Sequence, residues 1–348
     1  MTQQRWRRLA ALALLTAPAA ADACRCAERT LTAYFNAANS VRIAVVESVT
    51  AGDTETAVHV TLVDDAYKGE GEVGDALTYL TGSSSAACGV IAPPSSVLVL
   101  FSTVRTDGRE RADTCSGTRP LRLPADGRPR GFIDVPTRFV VQQLTALAGL
   151  AMLRDIAAAA PRPDDPHNTA LVGLLDIESL AHGGDVAVHA EPAVESPLLA
   201  RISRIEALET REAGYELAAA AVYGRSSFGY RVQLTDGRFG WIDEAHGGTW
   251  FDYAKLPVSR LSYLTSSWPG FLWPEPGAGL PMRTRARRAE TPVNVLQHTR
   301  VGGSLWFCVE RLSTSPCESS AATPLERGWV PAYGADGQPT VWFYSRGC

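Results

Sequence analysis

The chain has 348 residues, 45% hydrophobic and 20% charged, with a formal net charge of −4 and seven cysteines. That is a globular composition, long enough for two or three domains of about 100–150 residues each. The slightly acidic balance argues against a nucleic-acid binder, which would carry a clear positive excess. At the start of the chain Arg5, Arg7 and Arg8 precede a short apolar run, Leu9 to Ala17, and an Ala21-Asp22-Ala23 cleavage pattern. These are the three parts of a secretory signal in order. The run is too short to span a bilayer as a helix, which takes about 20 residues. Export to the periplasm or exterior is therefore expected, with residues 1–23 removed and Cys24 first in the mature chain. Ala21 and Asp22 fit a lipoprotein signal poorly, so no lipid anchor is expected. After residue 23 no apolar run of spanning length is read, and no transmembrane span is expected.

Residues 24–125 read mainly as strands. Val41 to Glu47 is rich in β-branched residues, Ala57 to Val63 alternates apolar and polar, and Leu77 to Leu80 and Val97 to Phe101 are apolar runs of strand length. From Phe132 to Ala160 the pattern changes. Phe139, Leu144, Leu147, Leu150, Met152 and Leu153 are spaced for one face of a long helix beginning after Pro136. Pro161 to Pro166 stops it and opens a linker, 156–184. A second strand-rich block, 185–256, holds Val186 to His189, Leu217 to Tyr223, Tyr230 to Leu234 and Phe239 to Ile242, with Asp236-Gly237 as a hairpin turn. A third, 257–348, holds Val293 to Leu296, Leu305 to Glu310, Arg327 to Pro331 and Thr340 to Tyr344. Gly240-Trp241 and Gly328-Trp329 repeat between the two blocks, which read as related small β-barrels.

An exported chain keeps most of its cysteines paired. Cys24 and Cys26 stand together, followed by Cys88 and Cys115. Residues two apart in an extended segment face the same way, so both can reach the distant pair; Cys24–Cys88 and Cys26–Cys115 is the pairing expected here, while sequence alone leaves all three connectivities of four cysteines open. Each would close a loop worth roughly 4 kcal/mol in the chain-entropy model. Cys308 and Cys317 are expected to close a local loop, leaving Cys348 as the odd thiol.

Several pieces in order carry a family resemblance: Cys24-Arg25-Cys26; Ala33 to Val46; Ala66-Tyr67-Lys68-Gly69; Leu77 to Thr81; Ala86-Ala87-Cys88-Gly89-Val90; Val97 to Phe101; and Thr114-Cys115. Residues 24–155 resemble the netrin-like (NTR) domain, in particular the N-terminal domain of the tissue inhibitors of metalloproteinases. The resemblance implies an OB-type five-stranded barrel with a C-terminal helix. It also implies that the α-amine and carbonyl of Cys24 chelate a protease's catalytic zinc, with Arg25 in the specificity pocket and Ser85, Ala86 and Ala87 on the adjoining ridge. A catalytic zinc keeps one position open, and an α-amine with a pKa of about 7.7–8.0 offers a neutral lone pair at modest cost. The chain departs from the family in lacking its third disulfide, with Phe35 near the first missing cysteine. Arg25 stands where the inhibitors carry a small residue, so a typical animal matrix protease is not the implied target.

The two later blocks resemble bacterial SH3-like (SH3b) domains, through Val186 to Pro192, Ser196 to Ala200, Tyr230 to Ile242, Trp306 to Glu310 and Gly328 to Pro331. Such modules bind peptidoglycan or peptides in aromatic grooves. The residues implied here are Tyr223, Tyr230, Trp241, Trp250, Trp306 and Trp329.

Other signals lead nowhere. Gly69 to Gly74 matches G-x-G-x-x-G, but it is acidic and leads into a strand, so it reads as a turn. The six histidines form no metal spacing, and no G-x-S-x-G elbow occurs. The expectation is a mainly β, non-enzymatic, exported binding protein of the bacterial cell envelope, without cofactor or metal of its own. Its partner would be a zinc metalloprotease, inhibited through Cys24, or another envelope protein. The alternative is a structural module that binds peptidoglycan or protein without inhibiting anything.

Overall fold

The computed structural model describes residues 24–27, 29–121, 135–159, 165, 167–284, 290–319 and 321–347. The expected signal peptide, the Pro161–Asp164 and Pro166 stop, and Cys348, expected as the odd thiol, lie outside the described residues. The chain forms two compact units, one up to residue 148 and one from 149 on.

In the first unit, α1 (Leu31–Ala37) leads into β1 (Ser40–Ala51), β2 (Glu55–Leu62), β3 (Ala76–Gly82), β4 (Val97–Val104), β5 (Glu110–Arg111) and β6 (Arg119–Leu121). β1 pairs antiparallel with both β2 and β4, β2 with β3, and β5 joins β3 in parallel and β4 in antiparallel fashion. The ring β1-β2-β3-β5-β4 therefore closes into a five-stranded mixed barrel of OB-like form, with β6 alongside β4. The alternation read in β2 is real: Thr56, Val58, Val60 and Leu62 are buried and their neighbours are not. With Ala44, Val46, Tyr79, Leu98 and Leu100 they fill the barrel.

The Tyr67-Lys68 pair has a local task. Lys68 Nζ donates to the carbonyls of Phe35, Asn36 and Ala38 at 2.9, 3.0 and 2.5 Å. It thereby satisfies acceptors that the end of α1 leaves without partners. Near one end of the barrel, buried Arg42 makes two bonds to Glu110, at 2.9 and 2.7 Å, and one to Ser40, while Ser102 also donates to Glu110. A buried cation is tolerated because it is paired and hydrogen-bonded.

The helix expected after Pro136 is α2 (Val135–Ala159). Over Thr137–Ala158 it is long and apolar enough, by length and composition alone, to cross a bilayer. This corrects the expectation that no segment after residue 23 reaches that length; Gln142-Gln143 interrupts the apolar run without spoiling the window. The six residues read as one face do not share one environment: Leu144 is fully buried, whereas Phe139 and Leu150 are more than half exposed.

In the second unit, the first sheet contains β7 (Gly173–Leu175), β8 (Val186–His189), β9 (Leu198–Ile202), β10 (Thr210–Gly214), β11 (Leu217–Arg225), β12 (Gly229–Gln233), β13 (Phe239–Asp243) and β14 (Trp250–Asp252), with a short helix α3 (Glu178–Ala181) after β7. Its order is β14-β7-β11-β12-β13-β8-β9, with β10 on the far half of β11. The Asp236-Gly237 turn joins β12 to β13 as expected, its Asp236 side chain accepting from Arg238 N–H at 3.0 Å. β7 comes from the stretch read as linker, and it pairs with β11 on one side and β14 on the other.

The second sheet contains β15 (Leu261–Leu264), β18 (Thr291–Val301), β19 (Ser304–Leu312), β20 (Pro324–Pro331) and β21 (Val341–Phe343). A separate hairpin is made by β16 (Phe271–Leu272) and β17 (Met282–Arg283). The order is β20-β19-β18-β15-β21. Among the described residues neither sheet closes, so open antiparallel sheets replace the two expected barrels.

The Gly-Trp repeat is a packing device. A Cβ on Gly240 would stand 2.4 Å from Val188 Cγ1, and one on Gly328 2.8 Å from Leu272 Cβ. In both places glycine lets a paired neighbour approach the strand closely. The two sheets are tied by reciprocal tyrosines. Tyr253, just after β14, reaches the carbonyls of Ala332 and Val341 at 3.0 and 2.9 Å, and Tyr333 donates to the Leu171 carbonyl at 2.7 Å.

Candidate functional site

The cysteines converge on one edge of the barrel. Cys24 is bonded to Cys88 and Cys26 to Cys115, the pairing expected. Residues 24–27 belong to no helix or strand. The barrel side, by contrast, is built twice over. Ser85–Ala87 is a single 3-10 turn, N-capped by Ser84 and closed by Cys88 at φ +60°. Thr114–Ser116 is another, with Asp113 and Ser116 capping each other. The two turns are sewn together by Thr114, whose N–H and Oγ1 both donate to the Cys88 carbonyl, at 2.9 and 3.3 Å. Nothing in the local sequence marked Thr114 for this part.

Arg25, Ser85, Ala86 and Ala87 are exposed, and the four cysteines are half-buried. The chain thus brings together the residues that the resemblance implied, as one edge made from two segments distant in sequence. The four Sγ atoms lie within 4.8 Å of one another. Tied as disulfides they offer no thiolate, and the thiolate is the form that binds metals.

The expected Cys308–Cys317 bond is corrected. Cys308 is a buried free thiol, whereas Cys317 is disulfide-bonded, so the two are not joined. The reason lies in the strand. Cys308 sits mid-β19, opposite Gln297 on one side and Trp329 on the other. Four extended residues, about 13 Å at 3.3 Å each, carry the chain away from it before the strand ends at Leu312.

The six aromatics read as a groove do not line one surface. Tyr223 packs on Phe239 on one face of the first sheet, and Tyr230 lies in the core on the other. Trp241 is 7% exposed, and Trp306 is buried against Trp273. Trp250 and Trp329 are half-buried. Trp250 stacks on Tyr230 and has the exposed Arg225 guanidinium 4.9 Å above its ring. Here the fold supplies a feature that the sequence hid. Arg225, Trp250, Phe251, Asp252, Lys255, Leu256 and Arg260 surround an open cavity of about 390 Å³. Its three cations come from the end of β11 and from the turn after β14, so no local spacing announces them.

Compared with known proteins, the chain matches no family model, and no curated protein matches it.

Proposed function

We propose that the chain is an exported binding protein of the bacterial envelope whose disulfide-fixed edge, Cys24-Arg25-Cys26 beside Ser85-Ala86-Ala87, engages a protein partner. Inhibition of a zinc metalloprotease is the sharpest form of that reading. The observation that carries it is the joining of an exposed Arg25 to an exposed Ser85–Ala87 turn by two adjacent disulfides on a closed barrel. The NTR-like pattern of the sequence supports the same assignment. A rigid edge loses little freedom on binding, which is where affinity is usually lost. Cleavage after Ala23 would free the α-amine of Cys24, and a catalytic zinc has one position open to it.

The test compares the mature chain with a form carrying one alanine before Cys24, against a panel of zinc endopeptidases. The mature form should inhibit at least one of them, and the extended form should not. Equal potency of the two forms would sink chelation, and inhibition by neither would sink the protease reading.

A second reading rests on the cavity beside Trp250. An aromatic ring flanked by Arg225, Lys255 and Arg260 suits a polymer bearing carboxylates, such as peptidoglycan. The full chain should then co-sediment with purified peptidoglycan. Arg225→Glu with Lys255→Glu, both exposed positions, should cut that binding by about tenfold or more. Unchanged co-sedimentation of the double variant would count against this site.

A further inference from the structure

Sulfur contacts between the two disulfides are as close as non-bonded contacts allow. Cys88 Sγ stands 3.5 Å from Cys115 Sγ, and Cys24 Sγ stands 3.7 Å from Cys115 Sγ and 3.6 Å from Cys26 Sγ. Disulfides exchange by attack of a thiolate on a disulfide sulfur, through a mixed disulfide. A thiolate released at Cys115 would therefore be born beside the Cys24–Cys88 bond, at 3.5 and 3.7 Å from its two sulfurs, and comes into line with that bond by turning about its own side-chain torsion.

We propose that the four cysteines form one exchange unit, in which a single low-molecular-weight thiol releases the Cys24–Cys26 segment while the barrel stays cross-linked. The thiolate of reduced glutathione attacks Cys26 Sγ. A bond forms between the glutathione sulfur and Cys26, the Cys26–Cys115 bond breaks, and Cys115 leaves as a thiolate. That thiolate attacks Cys88 Sγ, forming Cys88–Cys115 and expelling Cys24 as a thiolate, which takes up the proton the glutathione gave up. Two disulfide bonds are present before and after, so no electron is lost or gained. The product carries glutathione on Cys26, a free thiol at Cys24, and a new bond joining the two turns.

The barrel side keeps the two cysteines of this product close together. The Cys88 and Cys115 turns are already held together by the two Thr114 bonds to the Cys88 carbonyl and by the Asp113–Ser116 cap. The segment 24–27 lies outside helix and strand. All four cysteines are half-buried rather than enclosed, so a tripeptide thiol can reach Cys26. The proposal stands on the sulfur contacts and on no assumption about what the edge binds.

The test uses the full mature chain. It is incubated with reduced glutathione at neutral pH, quenched in acid, alkylated with N-ethylmaleimide, digested without reduction and mapped by mass spectrometry. The first new species should contain a Cys88–Cys115 cross-link, glutathione on Cys26 and the alkyl label on Cys24. In the double variant Cys26→Ser with Cys115→Ser, compared under conditions where circular dichroism shows both proteins folded, labelling of Cys24 should slow by about tenfold or more, because the attacking group is no longer held in place. Glutathione on Cys24 or Cys88 without a Cys88–Cys115 peptide would overturn the proposal. So would equal Cys24 labelling in the two proteins, or no adduct at all in the wild type.

Discussion

Replacing Cys26 and Cys115 together by serine should lower the unfolding free energy of the N-terminal unit by about 4.5 kcal/mol. The bond spans 89 residues, and cross-linking so distant a pair removes much of the freedom of the unfolded chain. Domains are stable by only about 5–15 kcal/mol, so the variant would stand close to its unfolding threshold. Guanidinium titration checks this: the midpoint should fall and the denaturant slope should rise, since an uncrosslinked chain exposes more surface. Removing both cysteines avoids leaving one reactive thiol behind. The 64-residue span of Cys24–Cys88 should give about 4.3 kcal/mol by the same relation. Deleting both bonds should cost less than the sum, because the two loops overlap along the chain and begin two residues apart. A loss below about 1 kcal/mol for either pair would mean that the unfolded chain is held compact by other contacts.

Tyr253→Ala should destabilise the C-terminal unit by about 4 kcal/mol, the scale of deleting a buried aromatic ring. Tyr253 is 1% exposed and packs against Phe307, Tyr333 and Trp342, with ring centroids 5.4–5.9 Å away. Burial holds its phenol protonated far above the ordinary range. Tyr253→Phe keeps the ring and loses only the hydroxyl, so it should cost about 1 kcal/mol. The Ala332 carbonyl would keep its bond from the Thr340 N–H. Thermal unfolding followed by near-ultraviolet circular dichroism separates the two variants. A Tyr253→Ala effect no larger than that of Tyr253→Phe would show that the ring is not what joins the sheets.

Much of the first unit was legible because its pattern is local. The β2 alternation, the apolar β4 run and the Cys-x-Cys start each follow from periodicity or from an ordered motif. The second unit was legible only strand by strand. Val186 to His189 and Tyr230 to Leu234 are strands as expected, and Asp236-Gly237 turns as its residues require. Closure is a different property. It depends on whether terminal strands meet, and nothing in the β14 or β9 sequence records that they do not. β7 escaped notice because three residues, Gly173-Leu174-Leu175, carry no periodicity. Cys308 misled because nearness in sequence is not nearness in space along an extended strand. The aromatic groove fails for a related reason: residue type alone points to Trp241 and Trp306, and type does not say which side of a sheet a ring lies on. The cationic rim of the Trp250 cavity was invisible because its members meet only after folding.

The position of β7 bears on how this protein can be taken apart. It is the only described strand between β14 and β11, yet it lies upstream of residue 185, where the sequence pattern starts the second strand-rich block. A fragment starting there would lack an interior strand and expose the unmatched edges of two others. Cutting after Leu256 would instead strip the second sheet of the Tyr253 ring that plugs it. Dissection of the C-terminal half therefore has one natural incision, upstream of Leu171, and what lies beyond it travels as a single piece.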